Sequence, residues 1–367
     1  MPLESLPPEL KVILMSTMPD VSSLRNLTHA SPVYHQTYVG AREEIFHNMT
    51  ALTLYDSNVS TLEAWTAINA PQIDHDIAHR KVMIIEFLDR YGDGLTDGRQ
   101  RFMVEESLAV LSLHRKITTL VDDYCTQILN QNPNPLSTID EANIRKASPA
   151  ELRRLYRAFY RYEIYCKLFC AVDIDEHYYR DQAQHELFDE GASVEIFVKL
   201  FPVHEVEELA CMHNYAQECY KNLVPGMLSS PILSFRHPVN AVHNFTSRSP
   251  SFLYRVLVTE TPQERLALCE ASRHFVPEIK IRNALNAYER VLDAGHWPWK
   301  GINDPVSSER LPTAGWVWAS KRGVENVDFK LRRWGYVFWG QKRLEDWDIK
   351  EETMLNWPWP DSGISRP

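Results

Sequence analysis

A mainly α-helical fold is what the sequence predicts, and three observations carry that prediction. Apolar residues recur three and four positions apart through most of the chain, the spacing that gathers them on one side of a helix. Alternating apolar and polar runs, the signature of a half-buried strand, are scarce. Helix-start punctuation also repeats, with a hydroxyl ahead of a first-turn proline at Ser31-Pro32 and again at Ser148-Pro149-Ala150-Glu151.

The first fifty or so residues read as three short helices, a length too small to bury a sufficient core alone. Pro7 and Pro8 suit an opening turn, where a missing N–H costs little, and Glu9 sits near the positive end of the helix dipole. Leu10, Ile13, Leu14 and Met18 then share one side, and Pro19 stops the helix. Asp20 is expected to cap a second helix carrying Leu24 and Leu27 one turn apart. Ser31 is expected to cap a third, with Tyr34, Tyr38, Ala41 and Ile45 on its apolar side.

The helical period continues from Leu62 to Ala70, Ile73 to Tyr91, Arg101 to His114 and Ile117 to Asn130, read as four segments. Gln131-Asn132-Pro133-Asn134-Pro135 is a breaker, and Ser148 then opens a long helix through Leu155, Phe159, Ile164 and Leu168. Phe201-Pro202 introduces another, with Glu205, Glu207 and Glu208 in its early turns, where acids favour the dipole, and Pro225-Gly226 ends it. Residues 225 to 262 are rich in Pro, Ser, Asn and Arg and read as a connector with one short apolar segment, Phe252 to Val258. Helices at Gln263 to Phe275 and Glu278 to Ala294 follow. Nine of the ten tryptophans lie at or beyond Trp297 amid prolines, so an irregular aromatic-rich segment closes the chain. No fixed-period repeat is visible.

Composition excludes several function classes. Across 367 residues, 44% hydrophobic content with only 13 glycines describes a packed chain, not a collagen-like or disordered one. A net charge of −10, from 49 acidic and 39 basic side chains, repels phosphate backbones, so no nucleic acid partner is expected. The apolar run Val82-Met83-Ile84-Ile85 stops at Glu86, far short of the roughly 20 residues that span a bilayer, so no membrane role is expected. The first residues lack the basic and apolar regions of a secretion signal, so a location in the cytoplasm and/or nucleus is expected. The six cysteines match neither a disulfide framework nor a metal knuckle and read as reduced, buried thiols, and four glycosylation sequons, beginning at Asn26, Asn48, Asn58 and Asn244, read as chance matches.

Three clusters bear on chemistry, and each has a plainer explanation. His75-Asp76-Ile77-Ala78-His79 sets two imidazoles at i and i+4, the spacing of a zinc site, but Asp stands where a metalloprotease has Glu and no third ligand follows. Asp89, Asp93, Gly94 and Asp97 fit four positions of a calcium loop, yet Tyr91 and Gln100 occupy two ligand positions, leaving a helix-to-helix turn. Asp173, Asp175, Glu176 and His177 read as solvated charges at a helix end. No nucleophile elbow, phosphate loop, dinucleotide fingerprint or kinase signature occurs, so no enzyme, no catalytic residue, no metal and no cofactor are expected. A helical metal-dependent hydrolase built on His75 and His79 remains the least favoured alternative.

The segment Leu6-Pro7-Pro8-Glu9-Leu10, with Ile13 and Leu14, Met18-Pro19-Asp20, and then Leu24, Leu27, Ser31 and Tyr34, resembles the F-box, the trihelical module that docks its proteins onto the Skp-family adaptor of SCF ubiquitin ligases. The family pattern is a Leu-Pro start, an acid two positions after the proline, spaced aliphatics, and a Ser ahead of an aromatic. The departure is Tyr34, where many members carry Trp. Leu152 to Arg161, Gly315-Trp316-Val317-Trp318-Ala319 and Leu331 to Trp339 are similar to stretches of filamentous-fungal F-box proteins without assigned substrates. The resemblance implies an adaptor-binding module at residues 1–50 and a helical body at 51–367. It also implies a link through the adaptor to a cullin, and a protein target marked for ubiquitin-dependent degradation. A scaffold that binds the adaptor outside degradation is the alternative. For the tail, Trp316, Trp318, Trp334, Tyr336 and Trp339 have two readings: a buried aromatic core, which is favoured, or, with Arg332, Arg333 and Arg343, an exposed anchor for a target peptide.

Overall fold

In the computed structural model, which describes residues 3–70, 77–92, 101–129, 146–170, 196–224, 242, 245–271, 312–320 and 329–349, the chain folds as helices and turns. It is mainly α, and no strand occurs among the described residues. No described helix is long and apolar enough to cross a membrane.

Three helices form a small core at the amino end: α1 (Pro8–Ser16), α2 (Val21–Ala30) and α3 (Pro32–Ser57). Pro8 opens α1 at the position where its lost N–H has no helical partner. The Asp20 carboxylate accepts the Ser23 N–H at 2.7 Å, the cap that the sequence predicts for α2. Ser31 departs from expectation. It makes no cap bond to α3, and its hydroxyl instead donates to Glu4 Oε1 at 2.6 Å. Met15, Leu24, Tyr34, Ile45, Phe46 and Met49 bury against one another, each contributing about 1.5–3 kcal/mol. So few residues make a marginal core, and Val104 joins it from α6 (Val104–Leu129), with Leu108 and Leu111 packed alongside.

The boundary expected at residue 50 falls inside α3, which continues to Ser57 and closes on Asn58 in the left-handed region at φ 51°. The helix is interrupted once, at Ala41 (φ −128°, ψ 21°), beside Gly40, which has no side chain to support the turn. Met49 of α3 belongs to the small core and Leu54 to the large one, so a single helix runs from module to body. The helix α6 does the same, with Val104 at one end and Ile117 to Leu129 at the other. It corrects the expectation of two helices there. Arg115 and Lys116 break the apolar period, but no proline or glycine breaks the backbone.

The large core gathers α4 (Thr61–Asn69), α5 (Ile77–Gly92), α7 (Pro149–Tyr165), α8 (Val203–Leu223), α9 (Pro250–Val258) and α10 (Pro262–Ala271) around α6. Ser148 and Glu151 form the reciprocal cap read from sequence: Ser148 Oγ accepts the Glu151 N–H at 3.3 Å, and Glu151 accepts the Ser148 N–H at 2.7 Å. The helix then passes into a π-helical turn, Cys166–Cys170. The short apolar segment expected in the connector is α9. The helix expected from Glu278 to Ala294, the 131–135 breaker, the 173–177 cluster and Trp297, Trp299, Trp357 and Trp359 lie outside the described residues.

The described part of the tail packs as α11 (Ala314–Ser320), α12 (Phe329–Trp334), a 3-10 turn at Tyr336–Phe338 and α13 (Gln341–Asp346). Two glycines permit that packing. A Cβ on Gly335, which sits at φ +69°, would lie 1.9 Å from the Tyr124 hydroxyl, and one on Gly315 would lie 2.0 Å from the Tyr336 carbonyl oxygen.

Candidate functional site

The module presents an apolar stripe on its outer side. Lys11, Met15 and Ser16 of α1 face inward, and one turn around the same helix Leu10 and Ile13 are 47% and 56% exposed. Pro7, Pro8 and Glu9 are exposed and Leu6 is half-buried, which extends the stripe back to the amino end, where Leu3 is exposed as well. Leu14 and Leu27 are half-buried and pack on the small core.

Leu24, Ser31 and Tyr34, expected to touch a partner directly, lie inside the module. Their work is positional. The Tyr34 hydroxyl donates to the Leu3 carbonyl at 3.0 Å and Ser31 donates to Glu4, so both hold the 3-10 turn Leu3–Ser5 against the start of α3. That turn leads directly into Leu6 and Pro7, so two side chains expected as contacts instead fix the stripe's first residues. The exposed Val33 and Val39 were not singled out by the helical period, because they lie off the apolar side of α3.

The tail corrects the exposed-anchor reading. Trp316, Trp334, Tyr336 and Trp339 are all buried in the large core. The side chain of Trp318 lies outside the described residues. Trp339 Nε1 donates to the Trp334 carbonyl at 2.9 Å, and Trp339 meets Trp347 edge-on at 5.7 Å. Two of the three arginines expected beside this anchor, Arg332 and Arg343, clamp the tail to the body. Arg332 donates twice to Glu207, at 2.9 and 2.8 Å, and Arg343 Nη2 reaches Glu151 at 2.7 Å with its guanidinium against Trp339 and Trp347.

The acidic run of α8 is the largest departure from the sequence reading. Glu205, Glu207 and Glu208 do occupy the early turns, but all three are buried. Arg161 reaches Glu63 of α4 at 2.7 Å and Glu205 at 2.6 Å, with its guanidinium 4.2 Å from the centre of the Phe201 ring. Arg157 reaches Glu205 at 3.1 Å and Glu208 at 2.6 Å. Burial opposes charge on Glu205, but Arg161 and Arg157 outweigh it and hold its carboxyl below the ordinary range, whereas burial dominates at Glu208 and pushes its carboxyl up. Three carboxylates therefore share two guanidiniums, joining α4, α7 and α8 through their interior. These groups face one another, with the carboxylates and Arg161 buried and Arg157 only 18% exposed, which fits a structural tie.

His79 is exposed on α5, while His75 lies outside the described residues, as do Asp93, Gly94 and Asp97. Among the described residues no group of three or more His, Cys, Asp or Glu is placed to hold a metal ion. The thiols of Cys125, Cys211 and Cys269 are raised by burial, Cys125 and Cys269 to about 12, which leaves them protonated and unreactive.

A cleft of about 870 Å³ opens where the module meets the body. The turn from Ser16 to Pro19, the end of α3, the middle of α6 and the start of α7 all line it. His114 and Tyr156 lie at its inner end, stacked at 5.0 Å with 14° between their planes. His114 Nδ1 is 3.2 Å from the Tyr160 hydroxyl, and burial lowers the imidazole pKa to about 4, so the ring is neutral. No family model matches the chain, and no curated protein or solved structure is detectably similar to it.

Proposed function

We propose that the chain is an F-box substrate receptor: residues 1 to about 57 dock on a Skp-family adaptor, and through it on a cullin, while the helical body recruits a protein target for ubiquitin transfer. The observation that carries this reading is the stripe of Pro7, Leu10 and Ile13, left open to solvent and continued by the half-buried Leu6, on a module whose opposite side is filled by its own core. Spaced aliphatics on one helix side, backed by a rigid layer, suit a helix-in-groove contact. The F-box pattern in the same residues names the kind of groove. Extending the module to Ser57 follows from the length of α3.

In this role the protein makes and breaks no bonds. It raises the effective concentration of a tethered target near the charged conjugating enzyme, and the continuity of α3 and α6 between module and body keeps that geometry fixed. The test is co-purification with a Skp-family adaptor. Leu10→Asp with Ile13→Asp alters exposed positions, so the fold survives, and binding is expected to fall more than tenfold. The Leu6→Ala, Pro7→Ala pair is expected to act the same way at the stripe's other end. Undiminished adaptor capture by both variants contradicts the assignment.

A further inference from the structure

The stripe on α1 is too short to be a whole interface. The nine residues of α1 rise about 13 Å, whereas a stable protein–protein contact covers about 800 Å² on each partner, from roughly 20–30 residues. The stripe also lacks the kind of side chain that dominates such contacts. Pro7, Leu10 and Ile13 are aliphatic, while energetic anchors are rich in Trp, Tyr and Arg and poor in Leu. A partner seated on the stripe must reach past one of its ends for both area and an anchor.

Beyond the carboxyl end of α1 both are present. Thr17 lies one turn past Ile13, on the helix side that carries Leu10 and Ile13, and it is exposed. It lines the cleft between module and body together with Pro19, which is exposed as well. Leu52 and Tyr55, a turn apart on α3, line the same cleft and stand 41% and 80% exposed. Only about 10 Å of helix rise separates Leu10 from Thr17, so a partner patch of ordinary size spans the stripe and the cleft mouth together. Tyr55 is the sole aromatic among the large apolar side chains exposed in the described residues. The lining carries one acid, Asp56, and one guanidinium, Arg153, so an apolar partner face meets no field of a single sign there.

We propose that the adaptor-docking surface continues from the α1 stripe over Thr17 and Pro19 to Leu52 and Tyr55, with the Tyr55 ring as its energetic anchor. This rests on the F-box reading of the stripe and deepens it. The contact passes the fifty-residue module that the resemblance defines and reaches the end of α3, where Leu54 already belongs to the large core. One partner thereby touches both the module and the helix that carries the body.

Titration calorimetry of the full-length chain against a purified Skp-family adaptor tests this with four variants: Tyr55→Ala, Tyr55→Phe, Leu52→Ala with Tyr55→Ala, and Val82→Ala. Val82 is an exposed apolar residue of α5 outside the cleft lining. All the altered positions are exposed, and urea midpoints equal to that of the wild type show that the folds are intact. Tyr55→Ala is expected to weaken binding at least tenfold. The double variant is expected to weaken it further and to shrink the negative heat-capacity change, since apolar surface leaves the interface. Tyr55→Phe, which keeps the ring, and Val82→Ala are expected to stay within twofold of the wild type. Adaptor binding by the wild type, with Tyr55→Ala and the double variant within twofold of it, overturns the extension and leaves the stripe reading standing. A loss in Tyr55→Phe or Val82→Ala as large as in Tyr55→Ala overturns the anchor in the same way. No binding by the wild type overturns the F-box reading and the extension with it.

Discussion

Replacing Arg161 with Met tests the buried ion network at its centre. The guanidinium is 4% exposed and sits between Glu63 at 2.7 Å and Glu205 at 2.6 Å. Methionine keeps much of the apolar stem, so the loss is chiefly the charge and its bonds. Without it, Glu63, Glu205 and Glu208 share Arg157 alone, and Arg157 touches only the last two. Removing one partner of a buried pair costs about 3–5 kcal/mol, because the remaining charge stays buried without compensation. Urea denaturation followed by tryptophan fluorescence measures the effect, since Trp334, Trp339 and Trp347 are buried and report unfolding. A second signature separates charge from packing. In the wild type the depressed Glu205 pKa gives stability that is present above the unfolded value of 4.5 and lost as pH falls through the folded value. Without Arg161 that pKa rises, so the folded variant takes up a proton and its deficit narrows as pH falls. Adding Glu63→Gln and Glu205→Gln is expected to recover at least about 2 kcal/mol of the loss. A deficit under about 1 kcal/mol, or the same deficit with and without the two glutamines, refutes the network as a tie among α4, α7 and α8.

Three further outcomes follow from the same geometry. Gly335→Ala and Gly315→Ala are each expected to lower the urea midpoint, since each Cβ meets an atom at 1.9 or 2.0 Å, whereas Gly40→Ala, with nothing within 4 Å, is expected not to destabilise the chain. His114 and His204 have pKa values lowered by burial to about 4, so the stability they contribute is complete above the unfolded 6.5 and is lost as pH falls from there toward 4; His114→Gln is expected to remove about one proton from the pH dependence of unfolding in that window. Ser31→Ala removes the bond that pins Glu4, and about 1 kcal/mol of lost positioning is expected to weaken adaptor binding about fivefold without unfolding the module, which titration of the purified variant against the adaptor checks.

The helical class was legible because it rests on a period that each segment states for itself, and the caps at Asp20 and Ser148 were legible because a cap bond spans three residues. What the sequence concealed is non-local. Glu205 meets Arg161 across 44 residues and Glu207 meets Arg332 across 125, and nothing in the local pattern of α8 marks its acids as buried instead of dipole-facing. Ser31 had the position of a cap but found a better acceptor in Glu4, 27 residues away. Of the candidate site, the spacing grouped Leu10, Ile13, Leu14 and Met18 on one side of α1, but only Leu10 and Ile13 are exposed, while Leu14 and Met18 pack on the small core. The cleft was not legible, since four separate stretches of chain converge to make it.

The central claim is that Pro7, Leu10 and Ile13, with the half-buried Leu6, form a docking stripe on the outer side of the module. Titration calorimetry of the full-length chain against a purified Skp-family adaptor, repeated at several temperatures, tests it most directly. The account predicts a one-to-one complex with a negative heat-capacity change, as burial of apolar surface requires, and its loss in the Leu10→Asp, Ile13→Asp variant. No saturable heat at any temperature, or equal binding by the variant, contradicts it.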